Sequence, residues 1–188
     1  AALVATGAFA QVSITGVMES TYNLSGAKGM TTGMNGGSEF RLGGVEDLGN
    51  GLKADFSYAF TQNHNNAGAI TNYNSYVGLS GEFGAIRVGQ QWSPLFLATT
   101  ANDANGGSAI SGNLANGGGQ VPNSVTYVSP SFSGLSVVLQ GNNEANQSTG
   151  YSLTYAAGAF SASYAANTTG TAASKTTTGI GASYDFGM

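Results

Sequence analysis

The chain has 188 residues, enough for one domain, and only 7% of them are charged, against about 25% in an ordinary soluble protein. Its net charge of −4 argues against nucleic-acid binding, and the lack of cysteine excludes disulfides and thiolate metal sites. No segment approaches the ~18 apolar residues of a membrane-spanning helix, whereas a membrane-spanning strand needs only about ten. The composition therefore excludes a helical membrane protein and permits a membrane β-structure.

The first ten residues read AALVATGAFA and look like the end of a secretory signal peptide. Their apolar stretch leads to Ala8-Phe9-Ala10, which fits the A-x-A pattern of a cleavage site. We therefore expect a signal-peptide remnant over residues 1–10 and a mature protein that starts at Gln11. The alternative is a short apolar strand or a buried helix.

Ten segments carry strand patterns, separated by turn and loop sequences. In chain order they cover residues 12–24, 38–45, 52–60, 73–80, 85–92, 123–129, 135–140, 150–157, 159–166 and 177–186. Asn50-Gly51 is a strong β-hairpin signal, and no segment has a helical period. Tight turns alternate with long polar loops, which predicts an antiparallel meander of hairpins.

The charged residues of these segments fall on the face opposite the apolar side chains, because successive strand residues point to opposite faces. They are Glu19, Glu39, Arg41, Lys53, Asp55, Arg87 and Asp185. A soluble β-sandwich also alternates, but its outer face usually carries more charge. A transmembrane barrel turns its apolar face to lipid and its polar face to a lumen, with aromatic residues near the strand ends. We therefore predict an all-β transmembrane barrel, with the soluble sandwich as the alternative.

Three segments resemble motifs of the Gram-negative trimeric porins. Residues 43–54, GGVEDLGNGLKA, resemble the family's G-x-E-D-L-G-x-G-L-K-A hairpin. Residues 76–91, YVGLSGEFGAIRVGQQ, resemble its Y-V-G-L-x-G-x-F-G segment and the strand that follows. Residues 123–134, NSVTYVSPSFSG, resemble its N-S-V-x-Y-x-S-P-x-F-x-G strand and turn. The similarity extends over residues 11–186 and is weakest after residue 141.

The resemblance implies a barrel of about 16 strands in the lipid of the bacterial outer membrane. It also implies a homotrimer that lets small hydrophilic solutes and ions diffuse passively, without a cofactor. Since ten strands are predicted here, we interpret residues 11–188 as the N-terminal part of the barrel, with a complete ten-stranded barrel as the alternative. The long interruption at residues 93–120 is implied to fold into the lumen as a constricting inner loop.

Six charged residues are candidates for the pore lining. Arg41, Lys53 and Arg87 occupy inward positions of three strands and are expected on the basic wall of the constriction. The resemblance implies basic residues on the barrel wall opposite an acidic inner loop, and Asp103, the only charge on the implied inner loop, is then the expected acidic partner. Charged groups in a pore set its selectivity. Glu39 and Asp55 lie beside Arg41 and Lys53, and either line the pore with them or neutralise them. Thr126 stands where the family is often basic, which argues against a strong arginine cluster.

The sequence offers little for catalysis. His64 is the only histidine, and it lies in an Asn-rich loop without the partners that a triad or a two-histidine metal site needs. We therefore predict no enzymatic activity, no cofactor and no metal. The alternatives to a porin are a non-pore β-protein at the cell surface, such as an adhesin, and a small barrel enzyme with His64 at its loop rim.

Overall fold

The computed structural model describes residues 11–24, 29–31, 38–62, 70–101, 119–145, 147–170 and 175–187. The expected signal-peptide remnant lies outside the described residues. Most of the expected inner loop, including Asp103, lies outside them as well, as does His64.

Ten antiparallel strands form one sheet. They are β1 (Gln11–Val17), β4 (Ser38–Gly49), β5 (Leu52–Gln62), β6 (Thr71–Gly81), β7 (Gly84–Trp92), β8 (Gln120–Val128), β9 (Leu135–Gly141), β10 (Ser148–Ala157), β11 (Phe160–Thr169) and β12 (Lys175–Tyr184). β1 pairs directly with β4, because β2 and β3 form a separate two-stranded sheet. From β4 to β12 each strand pairs with the next in sequence. Within the described residues, β1 and β12 are the two edges of the ten-stranded sheet. The predicted all-β antiparallel meander is confirmed.

The first predicted strand is wrong in its extent. Residues 12–24 are interrupted after Val17, where pairing with β4 ends, and β2 (Thr21–Asn23) pairs instead with β3 (Gly29–Thr31) as a separate hairpin. Glu19 falls in the interruption, and its backbone N–H donates to Ser38 Oγ at 3.1 Å. Asp185 follows the end of β12. The prediction that Glu19 and Asp185 are strand residues is therefore wrong.

The hairpin between β4 and β5 turns at the predicted Asn50-Gly51 pair. Both residues have positive φ, 53° and 78°, as a type I′ turn requires. β4 is longer than predicted and adds Glu46 to the sheet, in register with Ala54 of β5. Glu46 therefore lies on the apolar face next to the turn, and is an exception to the predicted segregation of charge.

One helix, α1 (Pro94–Thr100), follows β7, although no helical segment was predicted. Ser93 caps it: its Oγ accepts the Phe96 N–H at 3.2 Å, and Pro94 occupies the first turn, where its missing N–H costs nothing. α1 packs on β10, β11 and β12. A cluster of buried hydrophobic residues forms there, from Leu95, Ala98 and Ala165. Within the described residues, no helix has the length and apolar character needed to span a membrane.

Candidate functional site

The two faces of the ten-stranded sheet differ in chemistry. One, the apolar face, exposes large hydrophobic side chains along the strands, including Ile14, Val77, Val88, Leu139, Leu153 and Ile180. The other, the polar face, carries buried or half-buried polar side chains, including Arg41, Asp55, Arg87, Thr126, Gln140 and Asn167. Strand alternation explains the segregation. The polar residues from Asp55 to Asn167 lie in register from strand to strand, and Arg41 projects from the same face of β4.

Arg41 and Glu39 form an ion pair on β4. Arg41 Nη2 lies 3.2 Å from Glu39 Oε1, and the two side chains are 36% and 25% exposed. They are two residues apart on one strand, so both project from the polar face. The two opposite charges therefore lie within ion-pair distance on this face.

Arg87 and Asp55 form a second ion pair, although β5 and β7 are not neighbours. Arg87 Nε lies 3.1 Å from Asp55 Oδ2, and the Asp55 side chain is only 11% exposed. Gly78 of β6 stands in register with both residues. A Cβ on Gly78 would lie 2.7 Å from Arg87 Cγ and 2.7 Å from Asp55 Oδ1. Because Gly78 has no side chain, the ion pair can form across β6. Asp55 therefore pairs with Arg87 rather than with Lys53.

Both arginines and Asp55 border one cavity. It measures about 510 Å³, and Arg41, Asp55, Ser57, Tyr76 and Arg87 are among its lining residues. The Arg87 guanidinium also lies over the Tyr76 ring, 4.7 Å from its centroid, a distance at which a cation is attracted to an aromatic face. Three of the predicted charged residues are therefore brought together on the polar face.

Lys53 is placed apart from this group. It is exposed at the turn end of β5, in register with Asp47 of β4. It is absent from the lining of the cavity that holds both arginines.

A buried polar row continues from Arg87 across β8 and β9. Arg87 is in register with Thr126, which is in register with Gln140. Gln140 Nε2 donates to Thr126 Oγ1 at 3.1 Å and to the Trp92 carbonyl at 3.0 Å. Sequence reasoning missed Gln140, because nothing in the sequence reveals that its inward amide reaches the end of β7.

The segment after β7 is tied to the sheet at both of its described ends. The Ser93 N–H donates to the Gly119 carbonyl at 3.1 Å, which joins the start of the long interruption to its end. Trp92 stacks on Phe96 of α1 with centroids 4.1 Å apart and planes inclined by 19°. These contacts hold α1 against the sheet where the interruption begins.

An antiparallel meander with one exposed apolar face and one polar face has the construction of a transmembrane β-barrel wall. The Gram-negative porin family model matches residues 1–188, and the chain belongs to that family. Relatives of this kind are named outer-membrane proteins, and the chain is accordingly a protein of the Gram-negative outer membrane.

Three curated relatives show how far the similarity extends. The chain is 38% identical over 112 residues to the major outer membrane protein P.IB of Neisseria gonorrhoeae, covering 55% of this chain. It is 34% identical over 124 residues to P.IA of Neisseria meningitidis serogroup C, covering 63%, and 36% identical over 119 residues to outer membrane porin protein 32 of Delftia acidovorans, covering 55%. The chain spans only 32–34% of the length of these relatives.

Solved structures share the fold. An anion-selective porin from Comamonas acidovorans superimposes with a TM-score of 0.80 at 24% identity, covering 95% of this chain and 65% of that one. OmpF of Salmonella typhi, in complex with daunomycin, gives a TM-score of 0.73 at 16% identity, covering 96% and 63%. At these identities the matches show the fold alone, and they confirm the predicted β-barrel class.

Proposed function

We propose that the complete protein is a channel through which small hydrophilic solutes and ions diffuse passively across the outer membrane. The chemical opposition of the two sheet faces supports this function. The exposed apolar face suits contact with lipid, while the polar face offers hydroxyl, amide and charged groups to water. A surface adhesin or a barrel enzyme does not require a polar interior of this kind, so the channel is the better reading.

The narrow part of this channel is proposed to lie beside α1. The helix packs on the polar face of β10 to β12 and begins the interruption of residues 93–120. We propose that this interruption reaches into the lumen and that Asp103 contributes an acidic group to the constriction. The wall of the constriction would then be the face that carries Arg41 and Arg87.

Weak charge selectivity is the expected consequence of the two ion pairs. Each arginine carboxylate pair adds no net charge to the wall, with Glu39 opposing Arg41 and Asp55 opposing Arg87. The uncharged Thr126 beside Arg87 adds none. Lys53 near the turn is proposed to act only on solutes at the channel mouth, since it is exposed and outside the cavity.

Conductance of the complete protein in planar bilayers tests the channel. Stepwise, ohmic currents and uptake of small sugars into proteoliposomes are expected. A chain that inserts without conducting would reject the channel and favour the adhesin or the enzyme. If the protein were a barrel enzyme, the His64→Ala variant should have no enzymatic activity.

The proposed assembly is a homotrimer. Gel electrophoresis in detergent before and after heating, with the mass of each species, tests it. A heat-labile species of three times the chain mass is expected, and a protein that stays monomeric before heating would reject the trimer.

A further inference from the structure

We propose that three small residues of the sheet, Gly150, Ser163 and Gly179, form a socket that positions α1 and thereby sets the bore of the channel. We call these three residues the helix seat. The proposal rests on the proposed channel function, and it identifies positioning residues on strands far from the start of the interruption in sequence.

Gly179 of β12 lies directly under the helix. A Cβ at this position would be 2.8 Å from Thr99 Cγ2 and 2.9 Å from Leu95 Cδ1, closer than van der Waals contact allows. Neither neighbour can easily move away. Leu95 is only 1% exposed, and Thr99 Oγ1 is fixed by bonds to the carbonyls of Leu95 and Phe96 at 2.8 and 3.1 Å. Only glycine at 179 therefore admits α1 at its observed depth.

Gly150 and Ser163 complete the helix seat on the two adjacent strands. A Cβ on Gly150 of β10 would lie 3.1 Å from Pro94 Cδ, at the first turn of the helix, and 2.5 Å from Asn167 Oδ1 of β11. Ser163 of β11 donates its Oγ proton to the Ala98 carbonyl at 3.1 Å, within a buried contact. The helix is thus held near both ends and along its side.

The helix seat fixes how far α1 stands from the wall. The contact between α1 and β12 is closely packed and has no room for an added side chain. A larger residue at 179 must therefore lift the helix off β12. A lifted helix occupies more of the lumen next to the polar face. Gly179 is consequently a determinant of channel width although it contacts no solute.

A size exchange tests this role in the complete protein. We expect Gly179→Leu to lower single-channel conductance, and Leu95→Ala in the same chain to restore it by reopening the socket from the helix side. Gly43→Leu is the control for added bulk alone. Gly43 lies on the polar face of β4, where a Cβ meets nothing closer than 3.4 Å, so Leu95→Ala should not reverse its effect. If Leu95→Ala changes the conductance of the Gly179→Leu and Gly43→Leu variants equally, the proposal is overturned.

A cross-link keeps the proposal testable if Gly179→Leu fails to fold. The chain has no cysteine, so Thr99→Cys with Gly179→Cys gives one possible disulfide. A Cβ at 179 would lie 2.8 Å from Thr99 Cγ2, which is close enough for the bond. We expect it to form on mild oxidation. The pair Thr99→Cys with Gly43→Cys should not cross-link.

The two proposals fail in different ways. If the 99–179 disulfide forms and the wild-type protein does not conduct, the channel is rejected and the helix seat remains. If the wild-type protein conducts and the disulfide does not form, the helix seat is rejected.

Discussion

Asp55 and Arg87 pair across an intervening strand, and the glycine between them makes this possible. Their strands lie two spacings apart, about 10 Å, and the 3.1 Å contact between Arg87 Nε and Asp55 Oδ2 passes over Gly78. Any side chain at 78 would occupy the space in which the two groups meet. The strand that separates the charged residues thus also controls whether they meet.

Gly78→Val should break this pair. The Asp55 carboxylate is 11% exposed, and losing the partner of a buried polar group costs about 1–3 kcal/mol. We therefore expect a lower unfolding midpoint in detergent and urea, followed by tryptophan fluorescence. Gly141→Val is the matched control, because a Cβ at that strand position meets its first neighbour only at 3.7 Å. A Gly78→Val midpoint equal to that of the control would show that the pair adds nothing to stability.

The ion pairs predict how selectivity responds to charge. Replacing both Arg41 and Arg87 by Gln leaves the carboxylates of Glu39 and Asp55 unopposed, so the wall gains two negative charges. The reversal potential in a KCl gradient should shift towards cations. Adding Glu39→Gln and Asp55→Asn to the same chain should return it to the wild-type value. An unchanged potential in the double arginine variant would place both residues away from the constriction.

Strand alternation was enough to predict the two faces, because side-chain direction in a strand depends only on sequence parity. Parity does not reveal which strands pair at which register, so the contact of Asp55 with Arg87 was not predictable. Asp55 was expected to act on Lys53, its neighbour two residues away, and Gly78 carried no signal of its own. The register shift between Asp47 and Gly49 is likewise invisible in the sequence.

The helix was missed for a different reason. Ser93-Pro94 is a recognisable helix start, with a capping hydroxyl followed by proline in the first turn. The helix has only seven residues, too few to show an apolar period, and isolated helices of that length are unstable in water. Packing on Gly150 and Gly179 stabilises it, and those glycines lie more than fifty residues later in the chain.

Ser93→Ala should loosen α1 locally. Ser93 is fully buried, and its Oγ accepts the Phe96 N–H. Loss of such a cap costs about 0.5–2 kcal/mol, which corresponds to roughly tenfold faster amide exchange if the helix opens locally. Hydrogen exchange followed by mass spectrometry on a peptide covering residues 93–101 measures it. The control is Ser131→Ala, at an exposed position, which should leave exchange in that peptide unchanged. Unchanged exchange in Ser93→Ala would show that the cap does not stabilise the helix.

Two adjacent residues of β10 should respond oppositely to a positive charge. Leu153 projects from the apolar face and is 39% exposed, whereas Thr154 points to the polar face in register with Ser163. Lysine on the lipid side of a barrel costs about 2–4 kcal/mol near the bilayer midplane, while lysine on the lumen side stays hydrated. Leu153→Lys should therefore lower the yield of folded, heat-modifiable protein in lipid vesicles, and Thr154→Lys should fold and shift the reversal potential towards anions. Equal folding yields for the two variants would contradict the assignment of the two faces, on which the channel proposal depends.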